Sequence, residues 1–237
     1  MHATTARPWQ TIDCSDLPVR AINRAIRSAI AEGMTNIRLL SPTARHNLGV
    51  GLPQQVHLVI EGSVGYYVAG LNDGATLEVR GSAGWGAAES MRTGTVVIDG
   101  DAANAVAASI REGTVVVKGN ASTRAGIAMK GGTLIIAGSA GPMAGFMMQK
   151  GTIIICADAA DGVADSMYAG TIFVGGRTGE LGADSVLTEA SPEEHALLRA
   201  ELDRWQIPAP VAFRKLVSGR RLWNFQKADI HLWKSAL

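Results

Sequence analysis

The sequence is poor in aromatic residues and almost free of net charge. Aromatic side chains make up 5% of the 237 residues, which excludes a core built around large rings. Lys and Arg total 22 against 21 Asp and Glu, so the formal charge of +1 gives no support for attraction of the whole molecule to nucleic acid or to an anionic membrane. The apolar content of 47% is nevertheless enough to form a substantial core.

Cysteine and long apolar segments are also scarce, and each absence excludes a class of protein. Cys14 and Cys156 are too few for a disulfide framework, a four-thiolate zinc site or an iron–sulfur cluster, and we expect both to be reduced thiols. No segment approaches the roughly 20 apolar residues that cross a membrane, and the first residues lack the apolar stretch of a secretion signal. The sequence therefore predicts a cytoplasmic protein.

Glycine is abundant, with 28 residues, and it recurs in a strict internal repeat. Blocks of Gly-Thr followed by three apolar residues begin at Gly94 and return every 19 residues as far as Gly170. Earlier blocks keep the register, so that the repeated position holds His57, Thr76, Thr95, Thr114, Thr133, Thr152 and Thr171. Such a repeat is typical of a solenoid, in which each coil buries its apolar side against its neighbours. The sequence predicts an all-β fold, a right-handed parallel β-helix of about seven 19-residue coils with short α-helical caps at both ends.

Alternation within each block separates inward from outward side chains. Two inward columns of aliphatic residues form the predicted core, and the first of them consists of Leu58, Leu77, Val96, Val115, Leu134, Ile153 and Ile172. One outward column begins with charges that alternate in sign from coil to coil, which allows ion pairs between neighbours, and it continues without charge. Its members are Glu61, Arg80, Asp99, Lys118, Ala137, Cys156 and Gly175.

A second outward column is apolar where a solvated strand should be polar. We call its five consecutive apolar members the outer stripe: Val97, Val116, Ile135, Ile154 and Phe173. Such a stripe is covered either by the terminal segments of the chain itself or by another protein. Because the neighbouring column loses its charge at the same end, the sequence favours a partner protein.

The segments on either side of the repeats contain helix signals. Residues 17–32 place Ile22, Ile26 and Ile30 on one helical face, and a short strand is predicted at 37–40. Ser191 opens a capping box with proline at the first helical position, which predicts a second helix. We predict three regions, an N-terminal cap at 1–54, the β-helix at 55–178, and a C-terminal helix with a partner-docking tail at 179–237. The tail combines basic residues with Trp223, Phe225 and Trp233, which favours docking onto protein over nucleic acid.

No arrangement of residues typical of catalysis or metal binding is present. The five histidines, at positions 2, 46, 57, 195 and 231, lie at no metal-ligand spacing. Asp101 and Asp158 share a column but stand three coils apart, about 14 Å at the spacing of strands, which is too far to act as a pair. Cys156 is interpreted as a small filler. We therefore expect no catalytic, cofactor-binding or metal-binding residue in this chain.

The turns resemble a known family. Residues 47–53 (NLGVGLP), 60–65 (IEGSVG), 80–84 (RGSAG) and 99–104 (DGDAAN) resemble the glycine-rich GXGXG β-helix domain at the C-terminus of the glutamate synthase large subunit, over about residues 45–177. As a separate polypeptide, the chain is similar to the stand-alone glycine-rich subunit of N-methylglutamate synthase. The glycine-rich subunit of formylmethanofuran dehydrogenase is similar to the same repeat. Tyr66-Tyr67 and Asn104-Ala105-Val106 depart from the polar turns of the glutamate synthase pattern.

The resemblance implies a scaffold subunit without catalytic residues. It implies a hetero-oligomer in which the β-helix packs between an amidotransferase-like subunit and a subunit that carries FMN and an iron–sulfur cluster, in a complex that makes N-methylglutamate from methylamine and glutamate. The outer stripe and the tail aromatics Trp223, Phe225 and Trp233 would then contact partners. Three alternatives stay open: a formylmethanofuran dehydrogenase-type subunit, a stand-alone β-helix enzyme acting on a sugar or acyl donor, and a self-assembling solenoid.

Overall fold

The computed structural model describes residues 8–220, which form one eleven-stranded sheet and two α-helices. The order of strands in the sheet is β1-β2-β3-β4-β5-β6-β7-β8-β9-β11-β10. In chain order the elements are β1 (Trp9–Asp13), α1 (Val19–Ala31), β2 (Asn36–Leu40), β3 (His57–Glu61), β4 (Asp73–Val79), β5 (Thr93–Ile98), β6 (Thr114–Val117), β7 (Lys130–Ile136), β8 (Lys150–Ile155), β9 (Thr171–Val174), β10 (Ser185–Glu189), α2 (Pro192–Arg204) and β11 (Arg214–Ser218).

The nine strands β1 to β9 are parallel, and the repeat sets how they pair. Thr95 lies opposite Thr114, Thr114 opposite Thr133, and Thr152 opposite Thr171, so each coil places identical repeat positions side by side. A second line of isolated parallel bridges joins the alanines that follow the turns, such as Ala102 and Ala121. The predicted all-β solenoid of about seven turns is confirmed.

The core runs along the inside of the solenoid. Both inward columns of the repeat are fully buried, as the alternation predicts. The opposite side of each coil contributes a column of large side chains with no exposed surface, which are four methionines and one isoleucine: Met91, Ile110, Met129, Met148 and Met167. Methionine adapts its shape to irregular gaps, which suits the space that the small alanine columns leave.

The return side of each coil has an unusual backbone in which left-handed residues alternate with ordinary ones. Ala105, Ala107 and Ser109 have φ angles of 60°, 58° and 57°, and neighbouring coils repeat the pattern. The N–H groups of Ala105 and Ser109 donate to carbonyls of the following coil, whereas the N–H of Ala107 donates to the preceding coil. The alternation thus satisfies buried backbone groups on both sides, and this offsets the strain of left-handed residues that are not glycine.

The two ends of the solenoid are closed differently. At the N-terminal end, α1 connects β1 to β2 and buries Ile22, Ile26 and Ala29 against the first coil, as predicted. At the other end β9 pairs with the antiparallel strand β11, which pairs with β10. The helix α2 forms with the predicted capping box at Ser191 and Glu194, but it packs on the outer face of the sheet. The prediction that an α-helix caps this end is therefore wrong, because strands occupy it.

Neither described helix is long and apolar enough to cross a membrane.

Glycine is required where coils approach each other most closely. A Cβ atom on Gly113, at φ 83°, would lie 2.3 Å from the carbonyl oxygen of Gly94. Gly51 also has a positive φ of 65°, but a Cβ there would meet no atom within 4 Å. We expect Gly113→Ala to lower the free energy of unfolding clearly more than Gly51→Ala, which introduces only the backbone strain of about 1–2 kcal/mol. Urea unfolding of both variants measures the difference, and equal losses would show that coil separation tolerates a methyl group.

Candidate partner-binding surface

The outer stripe is covered by the chain itself. Val116 and Ile135 are fully buried, and Phe173 exposes 6% of its surface. These side chains form a second hydrophobic cluster with residues of α2 and of the segment that follows it: Leu198, Leu202, Ile207 and Phe213. Phe213 meets Phe173 edge to face at a centroid distance of 6.4 Å.

The prediction that the outer stripe binds a partner is therefore wrong for Val116, Ile135, Ile154 and Phe173, because buried side chains present no surface to another protein. Val97, at the edge of the cluster, is partly buried. Coverage by the terminal segment, the alternative that the sequence left open, is what the structure contains. The tail aromatics Trp223, Phe225 and Trp233 lie outside the described residues.

The loss of charge beside the stripe has the same cause. Ala137 and Cys156 pack against the second cluster, together with Ala209 from the segment after α2. A Cβ atom on Gly175 would lie 2.4 Å from Cγ of Pro210. Small residues in this column therefore let the segment after α2 lie directly on the sheet.

Where the column is charged, ion pairs form between coils as predicted. Glu61 lies 3.5 Å from both Arg38 and Arg80, and Lys118 Nζ lies 2.8 Å from Asp99. Arg38 also stacks over the Trp9 ring at 5.0 Å. These side chains are partly exposed, so each pair contributes at most about 1 kcal/mol. This half of the sheet's outer face is a solvated polar surface.

The aspartates near the turns hold the coils together. Asp101 accepts the backbone N–H of Asn120 at 2.7 Å, and Asp158 accepts that of Arg177 at 2.7 Å. Asp161 makes the same contact with the following coil at 2.9 Å. In the column of Asp101 and Asp158, serine and asparagine side chains at other coils likewise accept a backbone N–H of the following coil. Each of these carboxylates thus links one coil to the next.

Neither cysteine has the environment of a nucleophile. Burial raises the pKa of the Cys156 thiol to about 11 and also raises that of Cys14, so both remain protonated near neutral pH. Within residues 8–220, no group of three or more His, Cys, Asp or Glu side chains could hold a metal ion. The described part of the chain therefore offers neither a reactive thiolate nor a cluster of metal ligands.

Three stacked rings form the most prominent exposed aromatic feature of the described surface. The rings of His46 and Tyr66 lie 4.4 Å apart with planes at 15°, and those of Tyr66 and Trp85 lie 5.1 Å apart at 14°. We call these three residues the aromatic stack. Tyr66 exposes 47% and Trp85 54% of its surface. The stack thus presents two large amphipathic side chains of the kind that anchor protein interfaces.

Glycine makes the stack possible. A Cβ atom on Gly84 would lie 2.8 Å from Cδ1 of Tyr66, and one on Gly65 would overlap the His46 ring. His46 Nδ1 accepts the backbone N–H of Tyr66 at 2.9 Å, which fixes the orientation of its ring. The sequence reasoning noted Tyr66 only as a departure from a family pattern. The recurrence of an aromatic residue 19 positions later, at Trp85, was the signal that could have revealed the stack.

Comparison with known proteins identifies relatives of the fold but does not establish the function. No family model matches the chain. A 68-residue stretch, 28% of the chain, is 40% identical to Protein GlxC of Rhizobium meliloti (strain 1021) and spans 29% of that protein. The chain thus matches less than a third of the length of this curated relative.

The fold recurs in a solved multisubunit complex. The structure is similar to a chain of the formyltransferase/hydrolase complex FhcABCD from Methylorubrum extorquens, determined with methylofuran. The TM-score is 0.61 at 23% sequence identity, and the similarity covers 84% of this chain and 85% of that chain. Most of this chain therefore shares its fold with a chain of that complex.

Because α2 covers the outer stripe, charges placed there should act on stability. We expect Val116→Lys combined with Ile154→Lys to lower the free energy of unfolding by several kcal/mol, since two ammonium groups would be buried without partners. Leu197→Lys is the matched control, because Leu197 lies on α2 and exposes 71% of its surface. Thermal unfolding compares the variants. A double variant as stable as the control would contradict the packing of α2.

Acid should weaken the hydrogen bond between the Asp158 carboxylate and the backbone N–H of Arg177. The backbone N–H of Arg177, and then its guanidinium, lowers the pKa of Asp158, so the folded protein holds the charged form more firmly than the unfolded chain does. This contribution is complete above the ordinary pKa of Asp and is lost as pH falls through the lowered one. In Asp158→Asn the amide oxygen still accepts the N–H bond but does not titrate. Unfolding free energies measured against pH should therefore fall more steeply for the natural protein below about pH 4, and parallel curves would contradict this.

Proposed function

We propose that this chain is a scaffold subunit of a multisubunit enzyme complex and contributes no catalytic group of its own. The observation that carries the proposal is the aromatic stack. Its rings of Tyr66 and Trp85 are exposed on a rigid, regular surface, while Asp101 and Asp158 bond to the backbone of the following coil and burial keeps the Cys156 thiol protonated. Tyr and Trp on a rigid support bind a protein partner with little loss of conformational freedom.

The complex that the sequence favours is similar to glutamate synthase, specifically N-methylglutamate synthase, which makes N-methylglutamate from methylamine and glutamate. In this proposal, the β-solenoid packs between an amidotransferase-like subunit and a subunit that binds FMN and an iron–sulfur cluster. The glycine-rich turns between residues 45 and 177 support it. The chain itself would bind no cofactor, and the aromatic stack replaces the outer stripe as the surface that contacts a partner.

A second candidate function follows from the structural comparison. The similarity to a chain of a formyltransferase/hydrolase complex covers 84% of this chain, which favours a subunit of that type of assembly. This candidate is related to the formylmethanofuran dehydrogenase alternative, because both complexes act on formyl groups. The two candidates predict different cofactors in the partner subunits.

Purification of the tagged full chain from its own cells distinguishes these candidates. Partners that show flavin absorbance and contain iron and acid-labile sulfide support the glutamate synthase-like complex. Partners that lack flavin and show formyltransferase activity support the second candidate. A chain that purifies alone and turns over a sugar or acyl substrate would refute the scaffold proposal.

The aromatic stack is tested by Tyr66→Ala combined with Trp85→Ala. Both side chains are about half exposed, so we expect the fold to persist while partner recovery falls at least tenfold, the loss typical of a strong interface anchor. Leu197→Ala and Val211→Ala are matched controls, because they remove exposed apolar side chains elsewhere. Partner recovery unchanged by the double variant would show that the complex forms through a different surface.

A further inference from the structure

The last strand of the sheet, β10, has an open edge. Among the described residues it pairs only with β11, which lies between it and β9. Val186 exposes 41% and Leu187 45% of its surface, although successive residues of a strand point to opposite faces. Natural sheets usually block such an edge with lysine, proline or a bulge, and β10 (SVLTE) contains none of these.

The pairing with β11 determines which backbone groups point to the open edge. In antiparallel strands, residue pairs that exchange hydrogen bonds alternate with pairs that do not. Gly219 N–H donates to the Asp184 carbonyl at 2.7 Å, and these residues are opposite each other one step beyond the Ser185–Ser218 pair. Val186 and Thr188 therefore bond to β11, and the N–H and C=O groups of Leu187 and Glu189 point outward.

We infer that β10 of a second copy of this chain occupies the open edge, in an antiparallel pair related by a two-fold axis at Leu187. In this arrangement Leu187 of each copy donates its N–H to the Leu187 carbonyl of the other. The outward N–H of Glu189 in one copy donates to the Ser185 carbonyl of the other copy. The N–H of Ser185 already donates to the Gly182 carbonyl within its own turn. The pair uses four hydrogen bonds and leaves no donor facing a donor.

The side chains are self-complementary in the same register. Leu187 lies opposite Leu187 of the second copy, Val186 opposite Thr188, and Ser185 opposite Glu189. The carboxylate thus faces a neutral residue, and the two exposed apolar side chains of each copy gain apolar or hydroxyl-bearing neighbours across the new strand pair.

Head-to-tail pairing of solenoids matches the side chains less well. β10 runs parallel to β1, because β11 is antiparallel to both β9 and β10. A copy added with the sheet continued in register would place Glu189 beside Ile12 and Leu187 beside Gln10. That arrangement sets a carboxylate against an apolar side chain and an apolar side chain against an amide. The closed two-fold pair instead places Leu187 beside Leu187 and the Glu189 carboxylate beside Ser185, and it requires no feature of the proposed function.

The test is the mass of the purified full chain in sedimentation over a series of concentrations. A five-residue edge is a small interface, so we expect a weak dimer that dissociates on dilution. Leu187→Pro should give a monomer at every concentration, because it removes an outward N–H and leaves the bonds to β11 intact. Leu187→Lys, which places two like charges on the axis, is a second variant, and circular dichroism checks that both fold. Leu197→Lys is the control and should still dimerise.

Disulfide trapping locates the contact. Hydrogen-bonded opposite residues have Cα atoms about 5.5 Å apart, within the reach of a disulfide. Under mild oxidation, Leu187→Cys should form a covalent dimer several-fold faster than Leu197→Cys, although Leu197 is the more exposed residue. Equal rates would place any dimer contact elsewhere and overturn the inference.

A natural chain that stays monomeric at the highest concentration also overturns it, as does a folded Leu187→Pro variant that remains a dimer. If the natural chain is monomeric and a chain ending at Arg220 dimerises, residues 221–237 occupy the edge instead. If the amides of β10 become protected from exchange only when partner subunits are bound, a partner occupies it.

Discussion

Hydrogen bonds between successive coils fix the spacing on which every other feature of this protein depends. Because the repeat positions of β3 to β9 pair at a constant offset of 19 residues, each type of side chain stands directly beside its own kind in the next coil. Aliphatic columns then close the core, and acceptors such as Asp101 and Asn120 reach the backbone one coil away. The same spacing brings the rings of Tyr66 and Trp85 into contact. The glycines at the closest approaches keep this spacing uniform.

The parts of the structure that could be predicted are those that the repeat encodes locally. Alternation identified the inward columns, and the capping box at Ser191 identified α2, because each signal lies within a few consecutive residues. The position of α2 could not be predicted in this way. Its apolar residues Leu198 and Leu202 show that it packs against something, but no periodic signal connects them with Val116 or Phe173.

The outer stripe illustrates how an exposed apolar column can be misinterpreted. Its residues are outward-facing relative to the solenoid, as the alternation predicts, yet they are interior to the protein because another segment covers them. The loss of charge at Ala137, Cys156 and Gly175 was taken to favour a partner protein, but these small residues accommodate the chain near Pro210. The aromatic stack was missed for the opposite reason, since it arises from only two repeat positions and a histidine outside the repeat.

The same distribution of residues is the physical basis of the scaffold role that we propose. A solenoid places like residues in lines along its axis, whereas a catalytic centre requires unlike groups at one point. Asp101, Asp158 and Asp161 illustrate this, because each accepts a backbone N–H of the following coil. The lines of side chains form long surfaces, and the aromatic stack and the polar half of the sheet are among the parts of those surfaces that the described chain leaves uncovered.

The placement of α2 also affects how the molecule unfolds. In a simple solenoid each coil touches only its neighbours, so terminal coils fray first and the array loses its structure stepwise. Here one helix and the segment after it contact four successive coils, through Val116, Ile135, Ile154 and Phe173. Loosening any of these coils disturbs a contact shared by the others. The C-terminal half of the rod should therefore melt as a single cooperative unit, with intermediate states confined to the coils that α2 does not reach.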